Sequence, residues 1–110
     1  MTNIIWTMLK SKHLNPEIIF VNEVYFIHNK EGYRIMPPKL SRTKYSIEKY
    51  DSNKNDGNSF DYWSSLANLN YNCGSDEITT YVAGMNYDPF NTINEFQSEE
   101  ELLDYIKDKY

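Results

Sequence analysis

The chain has 110 residues, of which 40% are hydrophobic, 15% aromatic and 25% charged. This length and composition predict one globular domain with its own hydrophobic core and argue against intrinsic disorder. The single cysteine, Cys73, excludes an intramolecular disulfide, and the sequence shows neither a secretory leader nor an apolar run of membrane-spanning length. We therefore expect a cytoplasmic protein that is neither exported nor inserted in a membrane.

The first half of the chain predicts a helix followed by strands. Ile4, Ile5, Met8 and Leu9 have helical spacing, with Thr2 or Asn3 as an N-cap, His13 near the helix end and Pro16 beyond it. Residues 17–28 predict one strand that is apolar on both faces, with a break or bulge at residues 22–23. Residues 29–32 predict a hairpin turn, and residues 33–36 a return strand that Pro37 ends.

The second half predicts a further strand, a loop and a second set of helices and strands. Residues 43–50 predict a strand, and the polar residues 51–59 a mobile loop without an apolar anchor. Ser59 is predicted to cap a helix whose apolar stripe contains Tyr62, Trp63, Leu66 and Leu69. Residues 78–85 and 90–96 predict two strands.

The clearest local signal in the sequence lies near the end of the chain. Ser98 and Glu101 have the spacing of a capping box, which predicts a terminal helix with Leu102, Leu103 and Ile106 on its apolar face. The order of elements contains no repeated βαβ unit. It predicts a single α+β domain over residues 1–110, with an antiparallel sheet of about four to five strands and two or three helices.

Charge is distributed unevenly along the chain. Residues 1–50 carry eight Lys or Arg and four Asp or Glu, whereas residues 51–110 carry three and twelve, so the two parts have net charges of +4 and −9. From Asn55 to Ile106, 52 residues contain ten carboxylates and no Lys, Arg or His. Such asymmetry affects association and partner choice more than fold. The acidic part should repel nucleic acid and attract a cationic surface.

No catalytic, nucleotide-binding or metal-binding motif accompanies this charge. The four glycines are too far apart for a phosphate loop, His13 and His28 match no zinc motif, and the sequence neighbours of Cys73 include no activating cation. A catalytic carboxylate pair needs no sequence spacing, and nothing in the sequence selects one. We therefore predict a protein that is not an enzyme and that holds neither a cofactor nor a metal.

Helix and turn chemistry explains about half of the ten carboxylates, because Asp and Glu favour helix N-termini and turns. It does not explain the missing Lys and Arg, since surfaces exposed to solvent usually mix the two signs. Tyrosines beside turns are candidate anchors for a partner, because the ring offers an apolar body with a polar tip. The predicted partner-binding residues are Asp56, Asp61, Tyr62, Tyr71, Asp76, Glu77, Tyr87 and Asp88.

The leading hypothesis is an acidic inhibitory protein that occludes the cationic active site of a basic enzyme, such as an immunity protein or antitoxin that blocks a nuclease toxin. A phage-encoded inhibitor of a host nucleic-acid-binding defence protein would act in the same way. A self-associating structural protein is an alternative, in which residues 30–49 of one copy meet the acidic part of another. A small enzyme would require a deep pocket holding two carboxylates with shifted pKa values. The composition, rich in Asn, Lys, Ile and Tyr, is typical of AT-rich bacterial or mobile-element genomes.

Overall fold

The computed structural model describes residues 2–18, 23–38, 42–65 and 89–110. Within these residues, five strands form one antiparallel sheet in which spatial order follows chain order. This arrangement confirms the predicted α+β class. The elements are α1 (Thr2–Ser11), β1 (Glu17–Ile18), β2 (Val24–His28), β3 (Glu31–Met36), β4 (Tyr45–Tyr50), a 3-10 helix (Ser52–Asn55), the start of α2 (residues 60–65), β5 (Phe90–Phe96) and α3 (Glu99–Lys109).

Helix α1 ends at a residue in the left-handed conformation. His13 has φ 61°, its backbone N–H donates to the Lys10 carbonyl at 3.0 Å, and the Leu14 N–H donates to the Leu9 carbonyl at 3.1 Å. These two bonds form a Schellman motif, which satisfies carbonyls that a helix end leaves unpaired. The predicted helix and the role of His13 at its end are confirmed, although Ile4 of the predicted apolar set is exposed.

The single strand predicted over residues 17–28 is wrong, because this segment contains two strands. β1 and β2 pair antiparallel, with Glu17 opposite Tyr25 and Ile18 opposite Val24, so the two strands run in opposite directions. The hairpin that follows has a two-residue turn, Asn29 and Lys30, with φ of 51° and 67°. Positive φ at both positions is the type I′ geometry that matches strand twist.

The sheet has a hydrophobic core on each face. The first core joins the sheet to α1 and α3 through Ile5, Leu9, Leu14, Val24, Phe26, Ile35, Ile47, Phe96, Leu102 and Ile106. The second core joins the other face to α2 through Tyr25, Tyr50, Trp63 and Phe90, with Phe60 partly buried against them. Alternation along β2 directs Val24 and Phe26 to the first core and Tyr25 to the second. The prediction of a strand with two apolar faces is confirmed for these residues.

The predicted capping box at the start of α3 is present with one change. The Ser98 hydroxyl accepts a hydrogen bond from the Glu101 N–H at 3.2 Å, as predicted, whereas the Glu101 carboxylate accepts from the Gln97 N–H at 2.9 Å. The reciprocal bond therefore reaches one residue before the cap. The side chains of Leu102 and Ile106, both in this helix, are fully buried, and burial of each contributes about 1.5–3 kcal/mol to folding.

Candidate functional site

The structure describes three of the eight predicted partner-binding residues. Asp56 belongs to the loop after β4, and Asp61 and Tyr62 belong to the first turn of α2; all three are exposed. We refer to residues 56–62 as the acidic segment. The predicted residues Tyr71, Asp76, Glu77, Tyr87 and Asp88 lie outside the described residues, as do Leu66, Leu69 and the predicted strand at 78–85.

The loop that carries Asp56 is folded around a 3-10 helix. Asp51 caps this helix, because its Oδ1 accepts a hydrogen bond from the Asn53 N–H at 3.0 Å. Asp56 and Gly57 follow with φ of 54° and 77°, and the Gly57 N–H donates to the Ser52 carbonyl at 2.8 Å. Asp tolerates this left-handed conformation better than most residues do. The backbone thus places the Asp56 carboxylate on the surface.

A buried amide anchors the same loop to the sheet. Asn55 is 5% exposed, and its Nδ2 donates to the Tyr50 hydroxyl at 3.0 Å. The Tyr50 hydroxyl in turn donates to the Asn58 carbonyl at 2.6 Å. The loop has no apolar anchor, as its sequence predicts, and polar groups hold it to the sheet instead.

The first turn of α2 separates a buried side from an exposed side. The Ser59 hydroxyl accepts from the Tyr62 N–H at 3.1 Å, which confirms the predicted cap. Trp63 is buried in the second core with Phe60 beside it, whereas Tyr62 is 51% exposed. Tyr62 is therefore not part of a buried stripe, and its exposure agrees with its prediction as a surface anchor. Phe60 and Trp63, three positions apart, form the buried side instead.

Ring contacts fix the position of α2 on the sheet. Trp63 meets Phe90 edge to face at a centroid distance of 5.0 Å and lies 5.5 Å from the Tyr25 ring. Phe60 lies directly over Gly32 of β3, where any Cβ would overlap the ring. Gly32 was predicted to lie in the hairpin turn. It lies instead in β3 opposite Ile27, where the absence of a side chain admits the ring.

The carboxylates of the acidic segment, those of Asp56 and Asp61, take part in no ion pair within the described part of the chain. The nearest cation along the chain, Lys54, directs its Nζ to the Oδ1 of Asn91 in β5. The Asn91 Nδ2 also donates to the Asp51 Oδ2 at 3.2 Å. The side chain of Lys54 is therefore engaged with β5.

A charged cluster is buried between β3, β4 and β5. The Nε and Nη2 of Arg34 each lie 2.5 Å from the Oε1 of Glu48, with the two residues 6% and 5% exposed. The Glu48 Oε2 accepts from the Thr92 hydroxyl at 3.0 Å and lies 3.7 Å from the Nη1 of Arg42. Paired carboxylates and guanidinium groups of this kind are structural. Arg34 and Arg42, two cations of the basic segment (residues 30–49) considered for self-association, thus pair with Glu48 within one chain.

Burial and a neighbouring carboxylate act on a tyrosine of the second core. Burial raises the pKa of the Tyr25 hydroxyl above its ordinary value, and the charge of Glu23 raises this pKa further. The Tyr25 hydroxyl donates to the Glu23 Oε1 at 2.8 Å, so Tyr25 remains a neutral donor. Its chemistry is that of a buried structural hydrogen bond.

Two depressions border the acidic segment. A cleft of about 480 Å³ is lined by Lys30, Glu31, Lys49, Asp51, Phe60 and Asn91, among others. Its carboxylates are balanced by lysines. A smaller recess of about 60 Å³ is lined by Asn15, Tyr25, Ile27, Phe60, Asp61 and Ser64. Within the described residues, no cluster of three or more His, Cys, Asp or Glu side chains could hold a metal ion.

The sequence patterns missed three features of this region. Gly32 signals a close approach by Phe60, Asn55 is a buried amide, and Arg34 pairs with Glu48 across two strands. The opposite charges of Arg34 and Glu48, in two strands that the sequence predicts, were the available signal for the ion pair.

Comparisons with protein-family models, with curated proteins and with solved structures found no match to this chain. None of the helices in the described part of the chain has the length and apolar character needed to cross a membrane.

Proposed function

We propose that this chain is an acidic inhibitory binding protein that neutralises a basic partner enzyme. The form we favour is a cytoplasmic immunity protein or antitoxin that occludes the cationic active site of a nuclease toxin. One observation carries the proposal: Asp56, Asp61 and Tyr62 are exposed within a single short segment, and neither carboxylate has an ion-pair partner among the described residues.

The chemistry of the acidic segment suits a cationic surface. Carboxylates that form no ion pair within the chain accelerate encounter with a basic protein and compete with phosphate groups for its Lys and Arg side chains. Tyr62 adds a half-exposed ring beside these carboxylates. Tyrosine is enriched among residues that dominate binding energy, because it buries a large area and loses little conformational entropy.

The acidic segment is also held in place before any partner arrives. Asn55 and Tyr50 anchor the loop on one side of it, and Phe60 and Trp63 anchor α2 on the other. An interface whose backbone is already ordered loses less conformational entropy on binding than one that must be ordered. This order supports tight inhibition over transient electrostatic association.

A phage-encoded inhibitor of a host nucleic-acid-binding defence protein would use the same surface and differs only in its partner. Self-association through the basic segment has weaker support, because Arg34 and Arg42 lie against Glu48 within one chain. We therefore keep inhibition of a basic enzyme as the proposed function.

Affinity capture from cells that carry the gene, followed by mass spectrometry, tests the identity of the partner. We expect a basic protein that acts on nucleic acid, and we expect addition of the purified chain to abolish its nuclease activity at equimolar concentration. A partner with an acidic surface, or a nuclease that stays active in the complex, would contradict the proposal.

Charge reversal tests the surface. In the double variant Asp56→Lys/Asp61→Lys, we expect the association rate to fall by about 10- to 1,000-fold at low salt, and its salt dependence to weaken. The matched control is Asp104→Lys/Asp108→Lys, which makes the same charge change at exposed positions of α3, on the other side of the sheet. Equal losses in the two variants would assign the effect to net charge and reject the acidic segment as the binding surface.

A further inference from the structure

The recess beside Asp61 lies next to the N-terminal end of strand β1. β1 begins at Glu17, and its pairing with β2 starts there, with Glu17 opposite Tyr25. Ile27 lies two positions further along β2, beyond this pairing, and its side chain is 44% exposed. The recess is closed on its other side by Phe60, Asp61 and Ser64 of α2.

The ladder between β2 and β3 determines where the backbone of Ile27 points. His28 and Glu31 flank the two-residue turn, so they form a hydrogen-bonded pair, and the pairs further along the hairpin alternate in type. Ile27 opposite Gly32 is thus a non-hydrogen-bonded pair. Its N–H and C=O point away from β3, toward the edge that β1 does not cover.

The recess therefore combines hydrogen-bond acceptors with apolar residues. Three lining residues carry hydrogen-bond acceptors: Ile27 through its carbonyl, and Asp61 and Asn15 through side chains that form no hydrogen bond within the described residues. The apolar residues Ile27 and Phe60 also line the recess. A recess that combines apolar residues with a carboxylate accepts an amphipathic cation, whose stem packs on the apolar residues while its head group donates.

We propose that this recess binds one arginine side chain of the basic partner. The guanidinium group donates to the Asp61 carboxylate and the Ile27 carbonyl, and the aliphatic stem packs against Phe60 and Ile27. The identification of the arginine with a protein partner rests on the proposed function, whereas the preference of the recess for a guanidinium rests on its own geometry.

The size and acceptors of the recess favour arginine over other cations. Its volume of about 60 Å³ is on the scale of a single side-chain head group. A guanidinium is planar, carries five N–H donors in a fixed arrangement and is more weakly hydrated than an ammonium group. It can therefore reach two separate acceptors at once and leave water at lower cost. The same chain already places the Arg34 guanidinium 4.2 Å from the Phe90 ring centroid.

Titration with N-acetyl-arginine-N-methylamide, followed by ¹H–¹⁵N NMR, tests the recess without the partner. We expect saturable shifts at the backbone amides of Ile27 and Asp61 and at the side-chain amide of Asn15, with a dissociation constant on the order of 10 mM. The lysine analogue should bind several-fold more weakly. Asp61→Asn keeps the size of the side chain and should weaken arginine binding by about tenfold or more, as loss of a charge-assisted bond does. Asp56→Asn is the matched control and should bind as the parent chain does.

Every outcome of this titration either supports or overturns the proposed arginine site. Saturable shifts at the recess that Asp61→Asn reduces and Asp56→Asn does not would support the site. It would be overturned by shifts that never saturate, by equal binding of the lysine analogue, or by equal effects of the two substitutions. If the recess does not bind arginine, the proposed inhibition of a basic enzyme is still supported by Asp56 and Tyr62. Arginine binding without any basic partner captured from cells would reject the proposed function and retain the site.

Discussion

The ring of Phe60 occupies the space that a Cβ at Gly32 would fill, so the first residue of α2 lies directly on strand β3. This contact positions the acidic segment, because Phe60 is part of it and Asp61 and Tyr62 follow in the same helical turn. The surface chemistry proposed for Asp61 and Tyr62 therefore depends on a glycine in a strand.

Substitution of Gly32 by Ala should displace Phe60. We expect a loss of about 1–3 kcal/mol in the free energy of unfolding, the usual cost of overpacking a buried site. Urea denaturation measures this loss, and near-ultraviolet circular dichroism should report the altered ring contacts. Gly57→Ala is the control: no atom lies within 4 Å of the added Cβ, so only its φ of 77° opposes the change and the aromatic spectrum should not alter. Identical spectra for the two variants would contradict the role of the Phe60 contact.

The buried ion pair should make the effects of mutation strongly non-additive. Glu48→Ala leaves the Arg34 guanidinium buried without its carboxylate and should cost about 3–5 kcal/mol in unfolding free energy. The double variant Arg34→Met/Glu48→Leu replaces both charges with apolar groups and should be more stable than Glu48→Ala alone. Urea denaturation of the single and double variants measures the coupling. A double variant less stable than either single variant would show that the pair does not act as a unit.

The amide of Asn55 should account for most of the order of the loop after β4. Asn55→Ala removes the hydrogen bond to the Tyr50 hydroxyl, and we expect a loss of about 1–3 kcal/mol because a buried polar group loses its partner. Hydrogen exchange at residues 52–58 should accelerate in this variant. Asn53→Ala changes an exposed side chain of the same loop and should stay within about 0.5 kcal/mol of the parent chain. Equal exchange rates in both variants would show that the loop is held by other contacts.

Stability should fall at alkaline pH because of Tyr25. Burial, and then the charge of Glu23, raises the pKa of the Tyr25 hydroxyl in the folded chain. The stabilisation is therefore complete below the unfolded pKa, about 10, and decreases as the pH rises above it, because only the unfolded chain releases the proton there. Urea midpoints measured from neutral to alkaline pH should show this decline, and Tyr25→Phe should make it shallower. A decline of equal slope in Tyr25→Phe would assign it to other groups.

Local patterns were sufficient to predict the elements whose cause is local. The caps at Ser59 and Ser98 and the end of β3 before Pro37 follow from chemistry within a few residues. The reversal between β1 and β2 was not predictable in this way, since residues 17–28 have the composition of one long strand and only tertiary pairing divides it.

The candidate site was predictable only in its charge. Asp56, Asp61 and Tyr62 were selected from the missing Lys and Arg and from their positions beside turns, and the structure places them on the surface. The recess was not predictable, because it depends on where β1 begins to pair with β2 and on the docking of Phe60 over Gly32. Both are relationships between separate segments of the chain, to which a local pattern is insensitive.

The strand order also bears on the rate and order of folding. β2, β3 and β4 pair with their immediate neighbours in sequence, whereas Tyr50 at the end of β4 pairs with Phe90, across a long stretch of chain. Closing a longer loop costs more entropy before any contact compensates for it, and non-local pairing slows folding. We expect β5 to join the sheet after the hairpins have formed. The second core, which requires Phe90, would then be completed last, so the acidic segment would take its final position only with the last step of folding.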